Sequence, residues 1–327
     1  ERIGDARARR GESFAPVDVG MSERLHFIGV STAGSSIMEL FPRWTLILGL
    51  DATIAGRDVA VRADAHAFRD VVVEVADDDV VRGALVTTHK VDVYEHARDL
   101  FDVLDANAWL CGEVSCISKR DGQLVGHAKD PITAGLSMEA MLAPDYWADT
   151  GAHAVCLGAG GAGTAITVRL LQDEHPPERI VVTDRDAARL AALRDVHSQL
   201  PGFARVEYRV VQGTEMSDAL LGEVPAGSLV INATGMGKDL PGSPLSDAAA
   251  FPARGVVWEL NYRGRLTFLR QARRQQAERG LLIHDGWRYF LHGWTEVIAE
   301  VFGIVLTPEL FARLAEIAEP FRPPEPA

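Results

Sequence analysis

Val155-Cys-Leu-Gly-Ala-Gly-Gly-Ala-Gly-Thr-Ala165 decides the fold. Its apolar start reads as a strand, its middle puts Gly158, Gly160, Gly161, Ala162 and Gly163 in a turn, and residues 165–171 leave with helical character. A second apolar run, Ile180-Val-Val-Thr-Asp184, ends on an acid at about the spacing of a ribose-binding carboxylate. That is a βαβ unit with a G-x-G-x-x-G fingerprint. Gly158 permits the tight turn, Gly160 lets the backbone approach a pyrophosphate, and Gly163 lets helix and strand pack closely. The phosphates would sit at the helix N-terminus, where free N–H groups point outward. A dinucleotide is the expected ligand; a methyltransferase-like nucleotide site or a purely structural glycine turn would use the same residues.

Around this unit the pattern continues in both directions. Strands are expected at residues 154–157, 179–183, 206–211, 228–232, 256–260 and 280–284, with helix-like stretches between them. An aromatic-rich helix over 286–302 and a helix over 308–318 follow, then a Pro-rich tail expected to be disordered. Upstream, strands at 26–30, 53–61 and 84–87 alternate with helices at 37–44 (interrupted by Pro42), 65–76 and 91–102. A hairpin over 117–125 turns at Arg120-Asp-Gly122. Asp130-Pro131 starts the helical connection between the halves. The expected fold class is α/β in two domains. An N-terminal α/β substrate domain (21–130) precedes a Rossmann dinucleotide-binding domain (131–283), and C-terminal helices (284–320) return to the first. Residues 1–20 are expected to be a flexible head and 321–327 a tail, with Met21 near a natural start.

Composition bounds the function. A length of 327 residues favours two cores. A net charge of −13 argues against a nucleic-acid surface and for small-molecule partners. The head's Arg7, Arg9 and Arg10 lack an apolar segment beside them, so a secretory signal is not expected. No apolar run reaches membrane-spanning length. Cys111, Cys116 and Cys156 have neither disulfide nor zinc spacing and read as reduced thiols of a cytoplasmic protein, monomer or homodimer. The histidines His89, His127, His284 and His292 form no ligand-spaced set, so no metal is expected.

Two residues stand out chemically. Lys90 closes the strand ending in Val86-Thr87-Thr88-His89, and Asp130 follows Gly126-His-Ala-Lys129. A partly desolvated lysine works as an acid/base, and a neighbouring carboxylate fixes its position and charge. A surface salt bridge is the plain alternative. His89 and His127 lie close in sequence to this pair, either tuning a pocket or packing. The aromatics Trp287, Tyr289, Phe290 and Trp294 recur at helical spacing, for which core packing is the default, with a reach of one or two of them into the substrate cleft as the alternative.

From about residue 26 to 303 the chain resembles the shikimate/quinate dehydrogenase family. Gly29 to Ser36 fits its Ser-containing turn, and Val86-Thr-Thr-His-Lys90 resembles its Val-Thr-x-Pro-x-Lys segment. Gly112-Glu-Val-Ser-Cys116 stands where the family has Gly-Ala-Val-Asn-Thr, and the hairpin and His127-Ala-Lys-Asp130 follow in place. Ile231-Asn232-Ala233-Thr234, Tyr262 with Thr267, and Asp285-Gly286 complete the order. The resemblance implies hydride transfer between a nicotinamide cofactor and a ring alcohol, with Lys90 and Asp130 as the catalytic pair. It implies Ser35 and Tyr262 at the substrate, with Thr87, Ser36, Ser115 and His292 also at that pocket. Asn232, Ala233 and Thr234 would accompany the glycine turn at the cofactor.

The departures concern the substrate. Ser115 replaces Asn, Ala128-Lys129 replace Asn-Thr, Thr88 replaces Pro, and Gly293 falls where the family carries Gln, beside His292 and Trp294. Unmatched buried polar groups discriminate strongly. The implied substrate is therefore a cyclic polyol shifted from shikimate: quinate, an amino-substituted analogue or another cyclitol. Asp184, flanking Arg185 together with Asp186, favours NAD by the acid rule; Arg185 and Arg189 leave NADP possible. A catalytically silent dinucleotide-binding regulator of the same fold is the competing expectation.

Overall fold

The computed structural model describes residues 22–238 and 240–324, so the expected head and residues 325–327 of the expected tail lie outside the described residues. The first half carries β1 (Glu23–Gly29), α1 (Ile37–Leu48), β2 (Ala52–Asp58), α2 (Ala65–Asp77), β3 (Val81–Val86) and α3 (Lys90–Ala97). It continues through β4 (Val103–Leu104), α4 (Ala106–Cys111), β5 (Cys116–Arg120) and β6 (Gln123–His127). These strands form one sheet in the order β2-β1-β3-β5-β6-β4. β1 pairs in parallel with β2 and β3, while β3 to β5 and β5 to β6 are antiparallel. The antiparallel hairpin brings His127 opposite Cys116, so the chain leaves β6 beside the end of β3.

Helices α5 (Asp130–Glu139) and α6 (Tyr146–Thr150) lead into the second half. It contains β7 (Ala154–Leu157), α7 (Gly161–Leu171), β8 (Ile180–Asp184), α8 (Ala187–His197), β9 (Val206–Val210) and α9 (Thr214–Leu221). Then come β10 (Leu229–Asn232), β11 (Val256–Glu259), α10 (Thr267–Arg279), β12 (Leu282–His284), α11 (Trp287–Phe302) and α12 (Pro308–Ala318). The second sheet runs β12-β11-β10-β7-β8-β9, with every pairing parallel. Read from β9, that is the doubly wound order with its switch point between β7 and β10, where such sheets bind ligands. The near-continuous apolar strands follow from helices on both faces. α7 and α8 cover one face with Ile166, Leu170, Leu190 and Leu193, and α9 and α10 cover the other with Leu220, Phe268 and Ala272.

α11 and α12 pack against the first sheet. Trp294, Val297, Ile298 and Leu314 share a core with Leu25, Phe27, Phe41 and Trp44, and Trp44 Nε1 donates to the Leu314 carbonyl at 2.9 Å. The chain thus crosses between its two sheets at α5 and again at α11.

Three local expectations needed correction. α1 runs unbroken through Pro42, because a proline there removes one backbone donor while Leu40, Phe41 and Trp44 anchor the turns on both sides. The short helices α4 and α6, where none was expected, carry too few turns to show a period. The tail's first residues are held: Phe321 lies under the Arg43 guanidinium at 4.8 Å, and Arg322 pairs with Asp285 and Glu319.

Candidate active site and nucleotide pocket

Lys90 opens α3 and Asp130 opens α5, so two helix N-termini meet at the carboxyl end of β3. Thr88 turns the chain with a left-handed φ of 63°, and the Val114 amide donates to the Lys90 carbonyl at 2.9 Å. Lys90 Nζ donates to Asp130 Oδ2 in a direct ion pair, with Asp130 buried and Lys90 half-buried. Burial works against the ammonium, but the carboxylates of Asp130 and then Glu113 outweigh it and hold Lys90 above the ordinary lysine value. Lys90 therefore rests charged, poised to donate a proton. A surface salt bridge is excluded by the burial.

Glu113 and Tyr289 complete this cluster, and sequence reasoning did not select either as a site residue. Glu113 is 1% exposed and its Oε1 has no hydrogen-bond partner. Burial, then the charge of Asp130, push its carboxyl up to about 8 against the pull of Lys90. The Tyr289 hydroxyl is buried beside Asp130 without completing a hydrogen bond to it. Glu113 follows the Gly112 cap of α4, a signal visible only once α4 is known to point at Lys90. Tyr289 is one of the four aromatics whose spacing predicts core packing by default, with a reach of one or two into the cleft as the alternative, and its ring does pack on Trp258 at 5.7 Å.

The remaining expected substrate residues fall in three groups. Thr87 lies against β1, where a Cβ on Gly29 would come within 2.9 Å of its methyl. Ser35 and Ser36 sit half-buried in the turn before α1, and Arg263 Nη1 reaches the Gly34 carbonyl at 3.3 Å, joining that turn to the loop of Tyr262. Tyr262 packs, tilted, against Phe290 at 4.7 Å and Trp287 at 5.4 Å. Ser115 departs from its expected role: its Oγ accepts from the Lys129 amide at 2.7 Å and serves the backbone. His292 also departs from it, lying flat on Phe311 of α12 at 4.0 Å with its ionisation lowered by burial to about 4.

The two histidines near the pair are structural. His89 Nε2 contacts the Val59 carbonyl at 2.8 Å, and His127 Nε2 contacts Ser118 Oγ at 2.9 Å. Lys129 points away from Asp130, to Glu300 at 2.6 Å.

The glycine turn behaves as its residue types demand. Gly158 has φ of 111°, and a Cβ there would meet the Ala233 carbonyl oxygen at 2.7 Å. A Cβ on Gly163 would lie 2.1 Å from the Gly158 oxygen, whereas one on Gly160 would meet no heavy atom within 4 Å. The close crossing is built by Gly158 and Gly163, and the open cradle by Gly160. A Cβ on Gly161 would lie 3.2 Å from Glu113 Oε2, which places the turn beside the Lys90 cluster. A cavity of about 440 Å³ extends from this cradle past Asp184, Arg185, Arg189, Thr214 and Thr234. Asn232 does not open into it as a free amide: Nδ2 donates to Glu259 at 2.7 Å and Oδ1 accepts from Thr234 Oγ1 at 2.6 Å. Ala233 and Thr234 line the cavity. The residues present fit an extended dinucleotide: an open cradle at a helix N-terminus and an elongated cleft beside β8.

At the cleft's far end Asp184 Oδ2 accepts from the Ala159 amide at 2.9 Å and Oδ1 from the Asp186 amide at 3.0 Å. Asp186 caps α8 and lies 4.0 Å from Arg189. Two carboxylates and two guanidiniums therefore share this end of the cleft. Among the described residues, no group of three or more His, Cys, Asp or Glu side chains is arranged to hold a metal ion. No helix among them is long and apolar enough to cross a membrane.

Comparison with known proteins follows the same line. No family model matches the chain. A shikimate dehydrogenase (NADP(+)) of Symbiobacterium thermophilum is 31% identical over 189 residues, which are 55% of this chain and 61% of that protein. The Caulobacter vibrioides shikimate dehydrogenase (NADP(+)) is 29% identical over 274 residues, covering 83% and 86%. Among solved structures, quinate dehydrogenase from Corynebacterium glutamicum in complex with NAD superposes with a TM-score of 0.73 at 22% identity, over 91% of this chain and 99% of that one. The 5-ketofructose reductase of a Gluconobacter strain gives 0.69 at 23% identity over the same shares. At these identities the structures speak for the fold.

Proposed function

We propose that this chain, which belongs to the shikimate/quinate dehydrogenase family of oxidoreductases, interconverts a ring ketone and a ring alcohol of shikimate, quinate or a related cyclitol at the Lys90–Asp130 pair. The observation that carries this reading is the buried ion pair itself, joined through Glu113 to the glycine turn. A bound nicotinamide dinucleotide supplies the hydride for reduction or takes it in oxidation. In reduction Lys90 donates a proton from Nζ to the carbonyl oxygen as the carbinol forms. In oxidation a neutral Lys90 takes the hydroxyl proton. Asp130 holds Lys90 in place and keeps it charged, so the resting state is set for the reducing direction.

For the cofactor we favour NADP. The curated relatives carry NADP(+) in their names, while the solved quinate dehydrogenase holds NAD. Asp184, on which the expectation of NAD rested, has both carboxylate oxygens engaged by backbone amides, and Arg185 and Arg189 line the cavity beside it. The nearby Asp184 and Asp186 oppose a 2′-phosphate, so the preference is narrow.

The test is turnover of shikimate, quinate, aminoshikimate and non-carboxylated cyclitols with each dinucleotide, beside direct dinucleotide binding. NADP-linked oxidation of one ring alcohol, lost in Lys90→Met with binding intact, supports the reading. Dinucleotide binding without turnover of any of them supports a silent binding protein.

A further inference from the structure

Two positions that would recognise substrate hydroxyls by resemblance do not offer a polar group here. Ser115 Oγ is occupied by the Lys129 amide, and Gly293 has no side chain. A Cβ on Gly293 would meet only the Thr133 methyl, at 3.9 Å, so the space in front of it is open. Tyr289 lies four residues earlier on α11, on the same helix face one turn away. Its hydroxyl and Glu113 Oε1 are buried, unpartnered, and both close enough to Asp130 to feel its charge. Buried polar groups are rarely left unpaired unless a ligand or water completes them.

We infer that Glu113 and Tyr289 together bind the hydroxyl next to the reacting carbon, and so set specificity for a substrate with a vicinal hydroxyl. This rests on the reading of a ring alcohol or ketone as substrate. The Val114 amide on the Lys90 carbonyl fixes Glu113 one residue from the backbone of the catalytic lysine. Trp258 braces the Tyr289 ring from the other side. At neutral pH both groups are uncharged, since burial and Asp130 raise the carboxyl to about 8 and hold the phenol above its ordinary value. Glu113 can therefore donate and accept, and Tyr289 likewise, which matches a neutral hydroxyl. The groups facing Glu113 are Lys90 on α3, Asp130 on α5, Tyr289 on α11, Cys111 on α4 and the N-terminal turn of α7. Above about pH 8 the acid ionises beside Asp130 and loses its donor.

The experiment measures kcat/KM of wild type, Glu113→Ala, Glu113→Gln and Tyr289→Phe with shikimate, quinate and myo-inositol. Each ring alcohol that turns over is paired with its analogue deoxygenated beside the reacting carbon. On the parent substrate Glu113→Ala and Tyr289→Phe lower kcat/KM by about 10- to 100-fold, with Glu113→Gln retaining part of it; on the deoxy analogue they change little. In wild type the rise of kcat/KM for oxidation with pH flattens above about 8, where Glu113 ionises, and Glu113→Gln restores the continued rise. NADPH affinity unchanged in Tyr289→Phe certifies its fold. Equal effects on parent and analogue, or none on either, overturn the inference while the dehydrogenase reading stands. Wild type that turns over none of the three overturns both.

Discussion

Alanine placed at Gly163 and at Gly160 separates what the glycine turn does for the fold from what it does for the ligand. A Cβ at 163 would lie 2.1 Å from the Gly158 oxygen and 3.1 Å from its carbon. Relief requires more than an ångström of movement between β7 and α7. The β7 side is not free to give it, because the Gly158 amide is bonded to the Thr183 carbonyl at 2.8 Å and the Ala233 amide to the Leu157 carbonyl at 2.8 Å. Overpacking against backbone falls at the upper end of the usual cost, about 3 kcal/mol. For a chain of 327 residues that lowers the thermal midpoint by roughly 4 °C. At Gly160 no heavy atom lies within 4 Å, so Gly160→Ala leaves stability within about 0.5 kcal/mol of wild type. The methyl does occupy the cradle expected for the pyrophosphate, and NADPH binding weakens by about tenfold or more. Thermal unfolding and fluorescence titration with NADPH read both quantities on both variants. Gly160→Ala that binds NADPH like wild type would refute the cradle, and Gly163→Ala as stable as wild type would refute the close crossing.

Three further outcomes are expected. Lys90→Met lowers ketone reduction by about 10²–10⁴-fold with NADPH binding retained; in wild type, reduction falls and alcohol oxidation rises as pH climbs toward the raised lysine value, a pair of opposite limbs that steady-state rates across alkaline pH resolve. Asp184→Asn removes a charge from the ribose end and raises the NADP-over-NAD ratio of kcat/KM by about tenfold; an unchanged ratio would mean that Arg185 and Arg189 do not hold the 2′-phosphate. His26 is fully buried on β1 with both ring nitrogens unpartnered and its ionisation lowered to about 4, chiefly by burial. The unfolded chain therefore takes up that proton first, and stability is lost as pH falls from about 6.5 toward 4. His26→Leu flattens this slope and raises the midpoint more at pH 5 than at pH 7.5, as calorimetry at the two values would show.

Strand and helix identities were legible because the parallel second sheet demands continuous apolar runs, which residues 180–183 and 229–231 supply. The glycines were legible for a related reason: each spacing has one geometric use, and the structure assigns Gly158 and Gly163 to the crossing and Gly160 to the cradle. Lys90 and Asp130 were visible as chemistry but not as neighbours, since 40 residues and a hairpin separate them. Glu113 was invisible as a site residue for the same reason, its meaning depending on where α4 ends. Ser115 misled because a residue type shows what a side chain can bond, not that a backbone amide already holds it. Tyr289 and His292 share one helix period, yet one faces Asp130 and the other Phe311. Periodicity gives a face, and only the packing says what that face meets.

The most direct test of hydride transfer at Lys90 uses NADPH deuterated at the nicotinamide C4 with the keto forms of shikimate, quinate and a cyclitol. Mass spectrometry then reads the product. Deuterium on the carbinol carbon of one ring alcohol, absent with Lys90→Met although that variant still binds NADPH, is the predicted result. NADPH bound but no deuterium transferred to any of the three by wild type would contradict the account.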